Sequence, residues 1–242
     1  MTAVKTRKAR PSLSRRRVLE AALAIADTEG LDALTMRRLG SDLGVDPMSV
    51  YNYVDGKDSL LDGLVELLWE EVFPPAADSD WSQGLRGFAQ SLRQVFHRHP
   101  QAAPLLLGRN VFPLPALHLF HQHLGALESA GFDAPKATEA IRTLVSYGIG
   151  YGLAELTCLG VPGTRGMKER PSERELLLSL GQALPPGTPP HLADAAVAVY
   201  TQCDAEECFE SGLQLILEGL KASTSSSAGL KYGGRRGRVR RR

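Results

Sequence analysis

Residues 35–54 read TMRRLGSDLGVDPMSVYNYV, and the spacing inside this stretch decides the fold of what surrounds it. Met36, Leu39 and Leu43 recur at i, i+3 and i+7, which predicts a short amphipathic helix with Arg37, Arg38, Ser41 and Asp42 outside. Gly44 can take the left-handed conformation that closes a helix, and Asp46 followed by Pro47 supplies the N-cap and first-turn residue of the next. A turn of about three residues between two short helices is the spacing of a helix-turn-helix. In the second helix Val50 and Val54 point inward, leaving Pro47, Met48, Ser49, Tyr51, Asn52 and Tyr53 for the other faces. No charge lies between Asp46 and Asp55. Hydroxyls, an amide and a thioether make a surface suited to groove edges and phosphates of nucleic acid. Taken alone, twenty such residues also describe an ordinary helical hairpin, so the flanking sequence has to decide.

Residues 1–13 have no apolar periodicity and contain Pro11, which predicts a basic, disordered arm. A helix starts after Ser14 as N-cap, with Leu19, Ala22, Leu23 and Ala26 on its apolar face and Gly30 at its end. Thr35 caps the first helix of the motif. These three helices share one small core and define a domain over residues 14–60. Asp55 and Gly56 break the chain again, after which KDSLLDGLVELLWEEV places Leu60, Leu61, Leu64, Leu67, Leu68 and Val72 on one face of a long helix ending before Pro74. Lys57 in the first turn opposes the helix dipole, a conflict that a nearby phosphate removes.

Residues 14–72 resemble the N-terminal domain of the tetracycline-repressor (TetR) family of bacterial transcription regulators. The resemblance lies in the EG-L close of the first helix, then LTMRRLGSDLGV, then PMSVYNYV, then the K-x-x-LLDGL opening of the fourth helix, with the spacing kept throughout. It implies that Arg37 reaches a base or phosphate, that Ser49 with Pro47 and Met48 faces base edges, and that Tyr51, Tyr53 and Lys57 hold the DNA backbone. Thr35, Arg38 and Asn52 complete the DNA-facing set.

Beyond Pro75 the pattern stays helical, so the predicted class is all-α, with a second helical domain over residues 61–222 and a Ser/Arg-rich disordered tail over 223–242. Asp80 caps a helix carrying Trp81, Leu85, Phe88, Leu92, Val95 and Phe96. Leu117, Phe120, Leu124 and Leu127 mark another, closed by Gly131. Asp133 and Pro135 open a third with Ile141, Leu144, Val145, Ile149 and Leu153. Residues 159–190 form a Pro/Gly-rich variable loop, residues 193–200 are helical, and Asp204 with Glu207 makes a capping box for the last long helix. Gly148, Gly150 and Gly152 each cost roughly 0.5–1 kcal/mol inside a helix. A close helix approach, a kink or room for a ligand would offset that.

This half is loosely similar to the ligand-binding and dimerisation half of the tetracycline repressor. The similarity implies a homodimer through helices near 135–158 and 205–222, with Gly148, Gly152, Gly212 and Gly219 at the close approach. Two copies would read half-sites ~34–36 Å apart. Trp69, Phe88, Phe96, Arg109, Asn110, Phe120, His121, Tyr147 and Tyr151 are the candidate lining of an effector pocket. The family's tetracycline binders hold the drug through magnesium, with a histidine at the end of the fourth helix. Trp69, Phe73 and acids stand there in this chain, so no magnesium site carries over.

Composition agrees. The chain has 242 residues, 43% of them hydrophobic and 23% charged, enough for one or two globular domains. No apolar run approaches the ~20 residues that span a bilayer, and the N-terminus lacks a hydrophobic signal region, which predicts a cytoplasmic protein. Cys158, Cys203 and Cys208 form no C-x-x-C spacing and predict reduced thiols. The net charge of +1 hides a segregation: residues 1–17 and 231–242 carry seven basic residues each, leaving 14 basic against 27 acidic residues between them. Such ends attract a polyanion in a salt-dependent way, or serve as solubilising tails.

Histidines 97, 99, 118, 121 and 123 cluster in the middle of the chain, and His118 with His121 has the i, i+3 spacing of a ligand pair. With no cysteine or carboxylate at a confirming spacing, neither metal nor cofactor is expected. No G-x-S-x-G, H-E-x-x-H or phosphate-cradling loop is present, so no enzyme is expected either. The sequence therefore reads as a ligand-responsive, homodimeric, DNA-binding regulator, a repressor released from a palindromic operator by a small molecule. The alternatives are a nonspecific DNA-compacting protein acting through its basic arms and a metal-sensing regulator.

Overall fold

The structure is a computed structural model that describes residues 13–75, 80–109, 111–159 and 205–225, with scattered positions between 178 and 192. The expected arms, most of the variable loop and residues 193–200 lie outside the described residues. The elements are α1 (Arg15–Glu29), α2 (Met36–Leu43), α3 (Pro47–Val50), α4 (Lys57–Glu70), α5 (Trp81–Arg98), α6 (Leu105–Gly108), α7 (Leu114–Ser129), α8 (Ala134–Leu159) and α9 (Ala205–Ser225). No strand occurs among the described residues, as the all-α reading requires.

The first core forms where periodicity placed it. Val18, Leu19, Ala22, Ile25 and Ala26 of α1 are buried with Leu34, Leu39, Val50 and Val54. Ser14 caps α1 by accepting from the Arg17 N–H at 3.3 Å. The connecting helix α4 lies tightly on this unit: a Cβ at Gly63 would stand 2.4 Å from a Leu19 methyl, so only glycine allows that approach. Arg15 to Glu66 and Arg16 to Glu70, at 2.8 and 2.9 Å, add ion pairs between α1 and α4. The expected domain boundary at residue 60 falls inside α4, which belongs to both packing units.

In the larger half α5 runs along α8. Here the glycines act within the chain. A Cβ at Gly148 would lie 3.0 Å from the Ala89 carbonyl, one at Gly152 2.8 Å from the Phe96 ring, and one at Gly212 2.4 Å from the Tyr147 hydroxyl. The sequence reading assigned these three to a contact between copies; that is corrected, because each is filled by a neighbour in its own protomer. Gly150 and Gly219 meet nothing within 4 Å. The cost of glycine in α8 is offset by contact with Leu92 and Phe96, both fully buried.

An ion cluster joins α5, α8 and α9. Arg93 donates through Nε and Nη2 to both oxygens of Glu155 at 2.8 and 2.7 Å and through Nη1 to Glu206, and His97 Nε2 lies 2.8 Å from Glu155 Oε2. The Phe209 ring stacks beneath the guanidinium, 4.9 Å from its centre. Burial by itself would raise the Glu155 carboxyl, but bonds from Arg93 and His97 hold it below the usual carboxylate range.

Three further expectations are corrected. The second helix of the motif is α-helical only through Val50, because the chain turns at residues 51–53, with the Tyr53 N–H on the Val50 carbonyl at 3.0 Å. The last helix continues to Ser225, into the predicted linker. Ser223 is held by its hydroxyl on the Leu220 carbonyl at 2.8 Å and by Lys136 on its own carbonyl at 3.3 Å. Cys208 is disulfide-bonded rather than reduced.

Candidate nucleic-acid interface and small-molecule cavity

The motif closes as its residues dictate. The Thr35 hydroxyl accepts from the Arg38 N–H at 3.1 Å, and Gly44 ends α2 at φ 66°, ψ 37°. The Val45 N–H then reaches the Gly40 carbonyl at 2.9 Å and the Gly44 N–H the Ser41 carbonyl at 3.2 Å, a Schellman-type close. Asp46 caps α3 by accepting from the Met48 N–H at 2.8 Å. The aim of α3 depends on a residue the sequence reading passed over. A Cβ at Gly40 would stand 3.1 Å from both the Cα and N of Pro47, so α2 and α3 touch backbone to backbone at that point. The signal was present as a glycine inside an otherwise well-patterned eight-residue helix.

With Val50 and Val54 buried, α3 turns its remaining faces outward. Met48 is 70% and Tyr51 45% exposed, Asn52 and Arg37 are exposed, and Pro47 and Ser49 are half-buried. Tyr53 packs partly against the core. Arg38 pairs with Glu29 at 2.6 Å and Asp42 at 3.4 Å, which makes it a strut between α1 and α2. Thr35 spends its hydroxyl on the cap. Lys57, exposed in the first turn of α4, rests its ammonium 3.4 Å from the Leu31 carbonyl, beside the motif's entry loop.

The candidate effector residues are spread through the helical half. Phe88 and Phe96 are fully buried. Trp69 meets Phe120 edge-on at 6.4 Å. Tyr147 stacks on Phe209 at 5.2 Å and donates to its carbonyl at 2.8 Å, and Tyr151 packs edge-on against the same ring. Arg109 binds Asp62 and, at 3.2 Å, Asp58 of α4. His121 is exposed, and Asn110 lies outside the described residues. None of these lines the cavity of about 500 Å³ between the start of α5 and the end of α7, which is bounded by Pro75, Asp80, Trp81, His123, Ala126 and Ser129 among others.

His123 is among the residues bounding that cavity and was read in sequence only as one of a cluster. It is 1% exposed, lies 4.4 Å from the Phe88 ring, and its Nε2 has no partner. Burial pushes the imidazole down to about 4, so near neutrality the ring is uncharged. Asp80 at the rim is occupied, accepting from the Ser82 N–H and hydroxyl at 2.9 and 3.0 Å. His118 and His121 are exposed, and among the described residues no group of three or more His, Cys, Asp or Glu could hold a metal ion.

An outward-facing, uncharged reading helix carried by a connecting helix on a larger helical body is the architecture of a DNA-binding transcription regulator. Residues 18–64 match the family described as bacterial regulatory proteins, tetR family, and residues 73–224 match the tetracyclin repressor-like C-terminal domain. The chain belongs to the TetR family. It is 29% identical over 226 residues to the HTH-type transcriptional repressor DrrR1 of Streptomyces coeruleorubidus, covering 93% of this chain and 83% of that one. Against the tetracycline repressor protein class A from transposon 1721 of Escherichia coli it is 31% identical over 206 residues, 84% and 88% of the two chains. The structure of the Streptomyces coelicolor TetR family protein ActR in complex with actinorhodin aligns over 90% of this chain and 99% of that one, at a TM-score of 0.75 and 26% identity. No described helix is long and apolar enough to cross a membrane.

Proposed function

We propose that this regulator is a homodimeric repressor that leaves a palindromic operator when a small, uncharged, largely apolar molecule enters the His123 cavity. The observation that carries the DNA half is the exposed, charge-free face of α3, with Met48, Ser49 and Tyr51 at its surface. Base edges are read by Ser49, Met48 and Pro47, and the DNA backbone is held by Arg37, Tyr51, Tyr53 and Lys57. Pairing of copies is supported by the outer faces of α8 and α9, where Ser146, Gly150, Ser211 and Gly219 are exposed and Leu215 is 69% exposed. Those small residues and one leucine suit a close helix contact. The bound state of ActR supports a small-molecule effector here, and α4, which packs against α1 and against the larger half, is the element through which binding would shift the recognition unit.

The test is competition between the chain's own promoter duplex and a random duplex of equal length at fixed salt. A preference for the promoter of less than about tenfold would leave only nonspecific phosphate binding. Within that assay Tyr51→Phe and Lys57→Ala are expected to weaken both duplexes, because they remove backbone contacts, whereas Ser49→Ala and Met48→Ala change the order of preference among operator variants. Equal losses on every duplex from the second pair would remove their assigned role.

For the effector half the probe is 2-naphthol, with naphthalene as the same body lacking a hydroxyl. His123→Leu is expected to weaken 2-naphthol about tenfold, the size of one lost hydrogen bond of ~1.4 kcal/mol, and to leave naphthalene within about twofold. Ala126→Phe, which fills the cavity, should abolish both by calorimetry. Unchanged 2-naphthol affinity in both variants would place the effector elsewhere.

A further inference from the structure

The segment from the end of α5 to the residue after α6 holds α4 by ion pairs at both ends. At one end Arg109 bonds Asp58 and Asp62 in the first two turns of α4. At the other, His99, which follows α5, stands between two carboxylates from different elements. Its Nδ1 is 2.8 Å from Asp27 Oδ2 of α1, and its Nε2 is 2.9 Å from Oε1 of Glu71, the residue that closes α4. A carboxylate only accepts, so both ring nitrogens satisfy these bonds only when both carry a proton, and the closed joint needs the imidazolium.

We propose, resting on the regulator reading above, that His99 is a proton-dependent latch between the DNA-reading unit and the helical half, so that operator affinity falls as pH rises. The joint is shielded: the His99 side chain is 13% exposed, Asp27 24% and Glu71 28%. Its charged groups are Asp27 from α1, Glu71 from the end of α4, and Arg98 from α5. The guanidinium of Arg98 stands 2.8 Å from Glu71 Oε2, near enough to pair as charges though poorly aligned for a hydrogen bond. The other Asp27 oxygen is buried without a partner. Two cations therefore balance two carboxylates. Loss of the ring proton leaves one cation against two anions and turns a lone pair toward one of them, which opens the bond to α1 or to α4. Arg109 stays charged at any working pH, so the two ends differ: one is permanent and the other follows the proton. An opened joint leaves α1 to α3 less fixed relative to the helical half, and ordering them again weakens binding to DNA.

The experiment uses the full chain and measures affinity for its promoter duplex and for random duplex from pH 5.5 to 8.5 at constant ionic strength. The wild-type ratio of promoter to random affinity is expected to fall at least about fivefold across that range. His99→Gln, which can donate only from its amide, should give the low, high-pH ratio throughout, and His99→Arg, which keeps two donors and the charge, the high ratio throughout. Histidine ring 15N signals of the free chain should report His99 doubly protonated where the ratio is high. A wild-type profile that overlays that of His99→Gln, or a ring with one proton at the acidic end, would overturn the latch. No preference for promoter over random duplex at any pH would instead overturn the regulator reading.

Discussion

Arg93→Met is expected to lower the unfolding free energy by about 3–5 kcal/mol, the usual cost of stranding one member of a buried ion pair. Glu155 is the stranded group: its side chain is 7% exposed and Arg93 supplies two of its bonds. His97 keeps its own bond to Glu155 and is 41% exposed, which places the loss toward the lower end of that range. The double change Arg93→Met with Glu155→Leu should recover most of it, because two apolar side chains of similar volume replace a pair that had to be desolvated. Urea unfolding at one fixed protein concentration measures both, since a dimer's apparent stability depends on concentration. The pH dependence has a definite sign. The Glu155 carboxyl lies lower in the folded chain than in the unfolded one, so its contribution is complete above the unfolded carboxylate range and disappears as pH falls through the folded one. Glu155→Gln should flatten this acid limb of the stability curve. A variant that keeps the full acid dependence would show that other carboxylates produce it.

What the sequence disclosed and what it withheld follow from the range of each interaction. Caps and closes act over three or four residues, and Ser14, Thr35, Gly44, Asp46 and Pro47 all stand in the roles their spacing predicts. The apolar faces of α1, α2 and α4 are equally local, since 3.6-residue periodicity is written along the chain. The close approaches of Gly63 to Leu19 and Gly152 to Phe96 involve partners 44 and 56 positions away, and no pattern along one helix names the neighbour that fills it. For that reason the glycines of α8 were assigned to the wrong partner. The His99 joint and the Arg93 cluster are invisible for the same reason, each being assembled from three helices. His123 is the intermediate case. Its position on α7 was legible, but its neutrality and its unmatched nitrogen come from burial against Phe88, which only the packed structure supplies.

The largest effect on DNA binding is expected from Gly40→Val, a substitution that touches no DNA in the proposed complex. The nearest atoms to a Cβ at Gly40 belong to the backbone of Pro47 and Val45, at 3.1 and 3.2 Å. Backbone cannot rotate aside as a side chain can, and valine adds two methyls beyond the Cβ. The strain of overpacking, typically 1–3 kcal/mol, is relieved by moving α3 off α2. That movement carries Met48, Ser49 and Tyr51 away from the groove together. One good base contact is worth roughly 1–3 kcal/mol of discrimination, and a dimer presents the loss twice. Promoter affinity should therefore fall on the order of 100-fold or more, at 1.4 kcal/mol per factor of ten. Random-duplex affinity should fall much less, because flexible basic side chains still reach phosphates. The nearest neighbours of a Cβ at Gly40 all lie in the recognition unit, so 2-naphthol affinity should stay at the wild-type value and separates this outcome from global unfolding. Gly40→Ala, with only the Cβ to accommodate, should lie between the two. If Gly40→Val bound its promoter as tightly as the wild type, the backbone contact between α2 and α3 would not be what aims the recognition helix.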